Sequence, residues 1–258
     1  MNQVAPKAVG VVTVVALVMS IALGGAVHGA EYSAYYDCTP GRTTAIVVTN
    51  ASNVPSEAAY VLRAYDPDGH LLLETPGALA EYESTVLFLN DLIAEPDELS
   101  WGLVQIESSL LLQMAVWIGE RDSWIAIINT VRSPLSAEGL GIARQWYSIN
   151  YATTGQRSTA ITLINPNDEP ADGMLYIYDA KGAALDGSRF TIEPKQLIYF
   201  LPEANYEASD DLWGLIDVQS TLPILIVGEY FDESTALLDV ELIDTPYYLQ
   251  SEAESDAP

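Results

Sequence analysis

Trp101–Glu120, WGLVQIESSLLLQMAVWIGE, is written a second time about 110 residues later as Trp213–Glu229, WGLIDVQSTLPILIVGE. Both stretches run Trp-Gly-Leu, an alternating segment, a Ser/Thr turn, an apolar run and Gly-Glu. A chain that repeats itself at this length has to fold into two related halves. The match extends outward. Tyr32-Ser33 and Tyr36 correspond to Tyr147-Ser148 and Tyr151, Arg42–Ile46 to Arg157–Ile161, and Asn50 to Asn165, all at an offset of 115. Tyr65-Asp66 and Gly69 correspond to Tyr178-Asp179 and Gly182 at 113, and Trp101–Leu103 to Trp213–Leu215 at 112. Gly119-Glu120 and Gly228-Glu229 follow at 109. The offset falls in one direction, as loop shortening after a duplication would make it. It predicts that Glu120 and Glu229 end the same strand at equivalent positions.

The period inside each copy is that of strands. Thr44, Ile46 and Val48 alternate with Ala45, Val47 and Thr49, and Thr159, Ile161 and Leu163 alternate with Ala160, Thr162 and Ile164. Because successive side chains of a strand point to opposite faces, Gly102, Val104 and Ile106 share an apolar face and Trp101, Leu103, Gln105 and Glu107 share the other. Asp66-Pro67-Asp68-Gly69 and Asp179-Ala180-Lys181-Gly182 read as tight hairpin turns. Seven or eight short strands per copy predict an all-β protein of two tandem antiparallel β-sandwich modules, residues 31–132 and 146–245, each with its own core. Residues 133–145 read as a linker and 246–258 as an acidic tail, mobile at its end. One core shared between the halves is the alternative. Leu92–Leu99 can hold one short turn of helix.

The order T-A-I-x-x-x-N, Y-D-x-x-G, W-G-L-x-x-x-x-S and then an apolar strand resembles the Ig-like or fibronectin-III-like modules repeated in bacterial secreted and cell-surface proteins. The resemblance implies a spacer, an adhesion unit or a partner-binding platform. It carries no functional residues to transfer.

Residues 1–30 read as an export signal: Lys7, an apolar run from Ala8, then small residues before Glu31. The apolar stretch is also long enough for an N-terminal anchor. With 36 acidic and 10 basic residues, the net charge is −26. Binding a nucleic-acid backbone needs Lys and Arg to displace counterions, and three Lys and seven Arg are too few. Docking on an anionic membrane is excluded on the same ground, so membrane attachment is expected only through residues 1–30. Cys38 is the single cysteine, so no internal disulfide framework exists. It reads as a small half-buried residue, the alternative being an intermolecular disulfide or a reactive thiol.

Chemistry is sparse. Outside the export segment His70 is the one histidine, so nucleophilic triads and His/Cys metal sites are not supported. Asp66-x-Asp68-Gly69 faintly resembles a calcium loop, but a twelve-residue loop would need Glu where Gly77 stands. Looser calcium binding at Asp168-Glu169 or Asp210-Asp211 stays open; otherwise no cofactor and no metal is expected. Glu120 and Glu229 form a carboxylate pair of the kind hydrolases use, though among so many acids such a pair selects little. Trp101 and Trp213 recur, which assigns them to packing. Trp117, Trp124 and Trp146 do not recur and, with Tyr230, are the candidates for a ligand-binding surface, since flat amphipathic rings suit sugar faces.

The sequence therefore predicts an exported, non-enzymatic protein acting by surface contact in adhesion, the envelope or an assembly, with a protein or a glycan as partner. A sugar-binding module, with or without calcium assistance, is the alternative, and a carboxylate hydrolase the third. Function is to be sought where the two copies differ.

Overall fold

The computed structural model describes residues 30–51, 56–94, 96–120, 123–129, 131–132, 142–154, 157–202, 211–232, 237–243 and 248–251. The expected export signal, save Ala30, and most of the expected linker lie outside these residues. Among the described residues no helix is long and apolar enough to cross a membrane.

The chain is nearly all β. Its strands form four small antiparallel sheets, packed in succession like the blades of a four-bladed propeller. Sheet I has the order β5 (Ser84–Phe88), β2 (Arg42–Asn50), β7 (Leu112–Glu120), β8 (Ser123–Asn129). Sheet II runs β4 (Leu71–Leu79), β3 (Ala58–Tyr65), β6 (Trp101–Ser108), β1 (Ala30–Asp37), β9 (Val131–Arg132). Sheet III contains β14 (Leu197–Phe200), β11 (Arg157–Ile164), β16 (Leu225–Asp232) and β17 (Leu237–Ile243). Sheet IV contains β13 (Ala184–Ile192), β12 (Ala171–Asp179), β15 (Asp211–Ser220), β10 (Ile142–Thr154) and β18 (Tyr248–Ser251). Sheets III and IV join into one nine-stranded sheet where Thr154 pairs with Arg157. Unlike blades of consecutive strands, each sheet draws strands from separate parts of its half.

This overturns the expectation of two tandem, separately cored sandwich modules. Sheet III is apolar on both faces, so neither half closes its core alone. Ile161, Leu163 and Ile226 pack with Tyr147, Ile149, Ile216 and Val218 of sheet IV. The alternate residues Ile164, Leu225 and Val227 pack into the core of the first half, together with Leu237 and Val240. Sheet II is likewise buried on both faces: Ala34, Tyr36, Val104 and Ile106 alternate with Tyr35 and Leu103, all fully or almost fully buried. At about 2 kcal/mol for each large aliphatic side chain removed from water, Ile164, Leu225 and Val227 alone oppose separation of the halves. The signal was present in LPILIVG and in AYY, runs with no polar face, which mark strands covered on both sides.

The recurring residues make the same contacts in both halves. Leu112 N–H donates to the Tyr32 hydroxyl at 2.8 Å, and Ile224 N–H to that of Tyr147 at 3.2 Å. Asn50 Nδ2 donates to the carbonyls of Ser56, Leu79 and Ala80, and Asn165 Nδ2 to those of Glu169, Ile192 and Glu193. The Trp-Gly pair has a steric cause. A Cβ on Gly102 would lie 2.4 Å from the Tyr65 carbonyl oxygen, and one on Gly214 1.9 Å from that of Tyr178. Those same carbonyls accept hydrogen bonds from the Tyr36 and Tyr151 hydroxyls. Gly102 also has φ +144°, which side chains disfavour.

One smaller expectation changes: the short helix spans Leu89–Leu92 rather than following Leu92. The first part of the expected acidic tail includes strand β18, which pairs with β10 from Ile142 to Trp146 and so extends sheet IV.

Candidate functional site

The register of β7 and β16 revises the duplication itself. Ile46 lies opposite Val116, and its counterpart Ile161 lies opposite Gly228. Thus Gly228 corresponds to Val116, Glu229 to Trp117 and Asp232 to Glu120. The offset stays at 112 through this strand, and the Gly-Glu ending is a coincidence of letters. Glu229 is not the partner of Glu120. It is a carboxylate placed inside a strand where the other copy has tryptophan.

Glu229 is buried in the seam between the halves, on the face of sheet III that also carries Val227 and Phe231. Arg42 Nη1 donates to Glu229 Oε1 at 2.9 Å and to Asp37 Oδ2, and its guanidinium lies 5.5 Å over the Phe231 ring. The fully buried Tyr35 hydroxyl bonds the same carboxylate. Asp37 also accepts from Thr39 N–H at 2.9 Å and Thr39 Oγ1 at 2.7 Å. One guanidinium thus serves two buried carboxylates. Burial pushes the Glu229 carboxyl up to about 7; Arg42 pulls it down, while Asp37 pushes it further up. Nearby, Leu237 N–H donates to Glu120 Oε2 at 3.1 Å. The arrangement is a clasp across the seam, and sheet packing closes it from solvent.

The rest of the seam lies on the face of sheet II opposite sheet I. The Trp101 ring meets Tyr199 edge-on at 5.7 Å and Tyr35 at 6.4 Å. Gln105 Nε2 donates to the Pro166 carbonyl at 2.9 Å, Leu197 N–H to that of Pro67 at 3.2 Å, and Gln196 Nε2 to that of Asp68 at 2.9 Å.

Sheet IV presents the corresponding face outward. Cross-strand rows on sheet II read Glu31–Glu107–Val61, Ser33–Gln105–Arg63, Tyr35–Leu103–Tyr65 and Asp37–Trp101. On sheet IV they read Trp146–Gln219–Met174, Ser148–Asp217–Tyr176, Asn150–Leu215–Tyr178 and Ala152–Trp213. Among the described residues, no sheet covers in the second half the face that sheet III covers in the first. Trp213 is 57% exposed, whereas its counterpart Trp101 is packed in the seam. Within the open face the Trp146 indole N–H and Asp217 Oδ1 are buried and have no hydrogen-bond partner among the described residues. Burial raises the Asp217 carboxyl above its ordinary range. A groove of about 710 Å³ crosses one end of this face, lined by Met174, Tyr176, Arg189, Phe190 and Gln219 and rimmed by Asp172.

The sequence candidates are scattered rather than gathered. Trp146 sits on this open face. Trp117 is half-buried in β7 of sheet I, away from this face. Trp124 is in β8 opposite Gly119, and its side chain lies outside the described residues. Tyr230 donates to the Asn150 carbonyl at 3.2 Å and to Glu241 Oε2 at 2.9 Å, beside a second hollow of about 520 Å³ that also touches Arg157 and Asp239. Trp213, Tyr176 and Asp217 share the outward face of sheet IV with Trp146 and are not among the sequence candidates. Comparing the copies position by position would have singled out Asp217 and Tyr176, which replace Gln105 and Arg63.

The remaining candidates have structural surroundings. Asp66 Oδ1 accepts from the N–H groups of Asp68 and His70, and Asp179 Oδ1 from those of Lys181 and Ala183, so both loops are hairpin turns that use their carboxylate internally. His70 Nδ1 lies 3.1 Å from Asp66 Oδ2 on the surface. Asp168 pairs with Lys195 at 3.0 Å. Among the described residues no group of three or more His, Cys, Asp or Glu could hold a metal ion. Cys38 is buried rather than half-buried, and burial pushes its thiol up to about 12, the environment of an inert packing residue.

No protein-family model and no curated protein matches the chain. Among solved structures it is similar to a β-glucuronidase from Bacteroides uniformis (11% identity, 83% of this chain, 26% of that one, TM-score 0.18). It is also similar to a putative β-galactosidase from Bacteroides fragilis (11% identity, 83% of this chain, 32% of that one, TM-score 0.17). The chain spans about a quarter to a third of those proteins. At such TM-scores the likeness says nothing of fold or activity.

Proposed function

We propose that the protein is an exported, non-enzymatic subunit that works by surface contact, and that its contact surface is the outward face of sheet IV. One observation carries the reading. This face repeats, row by row, a face of sheet II that is covered by sheet III, yet among the described residues no sheet covers it and Trp213 stands exposed on it. Large exposed aromatics at a neutral-to-acidic surface also favour a contact role over simple solvation. Export rests on residues 1–30 and the acid excess.

The test is a photo-crosslinking residue placed at position 213 in cells of the source organism, with Leu99, also exposed, as control site. Adducts at 213 and none at 99 are expected. An absence of adducts at 213 overturns the proposal.

A second reading has its own observation: the 710 Å³ groove sets the Tyr176 ring and Met174 beside the polar groups of Gln219, Arg189 and Asp172, the mix that sugar recognition uses. Glycan-array binding that disappears in Tyr176→Ala supports it, and an array without signal removes it.

A further inference from the structure

We propose that the hollow between Arg157 and the Tyr230–Glu241 pair binds a polyhydroxylated carboxylate, a small molecule of the sugar-acid class. Its carboxylate is held by the Arg157 guanidinium and its hydroxyls by the carboxylates of Asp239 and Glu241. The hollow, of about 520 Å³, is lined by Ala152, Arg157, Tyr230, Leu238, Asp239 and Glu241, none of which lines the groove of sheet IV. The inference goes beyond both readings above and depends on neither.

The first half shows what an arginine at this place holds. Arg157 is the counterpart of Arg42, and the backbone that presents it is built alike. Thr44 Oγ1 donates to the Asp37 carbonyl at 2.6 Å and accepts from the Asp37 N–H at 2.9 Å. Thr159 Oγ1 does the same with the carbonyl and N–H of Ala152, both at 3.0 Å. Arg42 clamps the carboxylates of Asp37 and Glu229. In the second half Ala152 stands where Asp37 stood, so the neighbouring carboxylate is gone while the guanidinium is kept. Arg157 is exposed, and no carboxylate among the described residues lies within ion-pair distance of it. In a chain with 36 acidic residues, a guanidinium so placed is left open to a carboxylate from outside, the group its planar fork fits best.

The opposite wall differs between the copies in a complementary sense. The β7–β8 and β16–β17 pairings slip register after equivalent residues, Ile118 and Tyr230, which fixes the correspondence across them. Ile118, Ala126 and Ile128 of the first half thus become Tyr230, Asp239 and Glu241. Ile118 is fully buried in the core of its half. The second half therefore has a phenol and two carboxylates around a hollow where the first has three apolar residues. Tyr230 is anchored through its hydroxyl on the Asn150 carbonyl and Glu241 Oε2. Asp239 Oδ1 accepts from the Val240 N–H at 2.9 Å. Asp239 and Glu241 are exposed, and among the described residues Asp239 Oδ2 and Glu241 Oε1 accept no hydrogen bond.

The ligand that complements these walls carries one carboxylate and several hydroxyls. The carboxylate takes the guanidinium N–H donors, and the hydroxyls donate to the carboxylate oxygens of Asp239 and Glu241. The Tyr230 ring and Leu238 offer apolar surface to the C–H face of such a molecule. A simple anion would meet the two carboxylates without a donor to give them, and a neutral sugar would leave the guanidinium without its anion. The volume lies within the ~300–1,000 Å³ of small-molecule pockets.

Isothermal titration calorimetry of the protein as isolated from cells, with D-galacturonate, D-galactose, acetate and L-alanine as probes, tests this. Galacturonate is expected to bind at least roughly tenfold more tightly than galactose or acetate, each of which offers half of its chemistry. Arg157→Ala changes an exposed position, so unchanged circular dichroism and Tm will confirm its fold. It should reduce galacturonate binding to the level of galactose, and Arg157→Lys, which keeps the charge without the fork, should recover part of the loss. Glu241→Gln should weaken galacturonate and galactose alike. The inference is overturned if no probe binds, if galactose matches galacturonate, if alanine exceeds it, or if Arg157→Ala binds galacturonate unchanged. Binding that Tyr176→Ala abolishes and Arg157→Ala spares belongs to the groove of sheet IV; the inference then falls and the glycan reading stands. The surface-contact reading is judged separately, by the adducts at position 213.

Discussion

Glu229 and Trp117 stand at the same place in the two halves, each opposite an equivalent alanine, Ala160 and Ala45. On sheet I that place looks outward and holds an aromatic ring. On sheet III the same place looks into the seam and holds a carboxylate clasped by Arg42 and Tyr35. The duplication thus puts different chemistry at one scaffold position, a clasped carboxylate where sheet III meets the first half and a half-buried ring on sheet I.

The carboxyl of Glu229 makes the seam sensitive to pH. Its folded value is raised to about 7 from an ordinary 4.5, so the native state holds a proton that the unfolded chain releases earlier. Stability from this group is therefore greatest at or below the unfolded value and declines as pH rises from about 4.5 to 7, by on the order of 3 kcal/mol. Glu229→Gln keeps an acceptor for Arg42 and Tyr35 but cannot ionise. Urea titrations between pH 5 and 8 are expected to show a wild-type decline that the variant largely lacks; parallel curves would assign the decline elsewhere.

Arg42 is a different case, because removing it leaves two buried carboxylates facing each other. Breaking a buried charge pair from one side costs about 3–5 kcal/mol. Arg42→Ala should lower the unfolding free energy measured by urea titration by that amount at pH 7.5 and by clearly less at pH 5, where Glu229 is protonated. Arg42→Met combined with Asp37→Ala and Glu229→Leu is expected to recover most of the loss, since a packed apolar seam needs no counterion. An Arg42→Ala protein as stable as wild type at pH 7.5 would mean that water already reaches the clasp.

Much of this architecture was legible and some of it could not be. Strand positions follow from strict alternation, so Thr44–Val48 and Val104–Ile106 could be placed by pattern alone. The recurring Tyr36, Asn50 and Gly102 are visible as a matched set before their hydrogen bonds are known. Two things were hidden. Strands such as β1 and β16 are apolar on both faces, which says that both are covered but not by what; the covering sheet comes from the other half. The Gly-Glu ending at 119 and 228 looked like a continued match, while only the cross-strand register against Ile46 and Ile161 shows a slip of three positions. Among the sequence candidates, Trp146 lies on the outward face of sheet IV. Trp213 recurs and is nevertheless exposed, because the ring that meets its counterpart Trp101 at 5.7 Å, Tyr199, comes from the other half.

Gly214 tests the steric account of the Trp-Gly pair. A Cβ there would sit 1.9 Å from the Tyr178 carbonyl oxygen, and backbone cannot yield as a side-chain tip can. Gly214→Ala should force β12 and β15 apart and break the Tyr151 hydroxyl bond to the same carbonyl. A loss of roughly 2–4 kcal/mol is expected, well beyond the ~1 kcal/mol gain that Gly to Ala gives at an unstrained site. Tyr151→Phe, which removes only the hydroxyl, should cost about 1 kcal/mol. Equal effects from the two variants would show that the close approach relaxes freely.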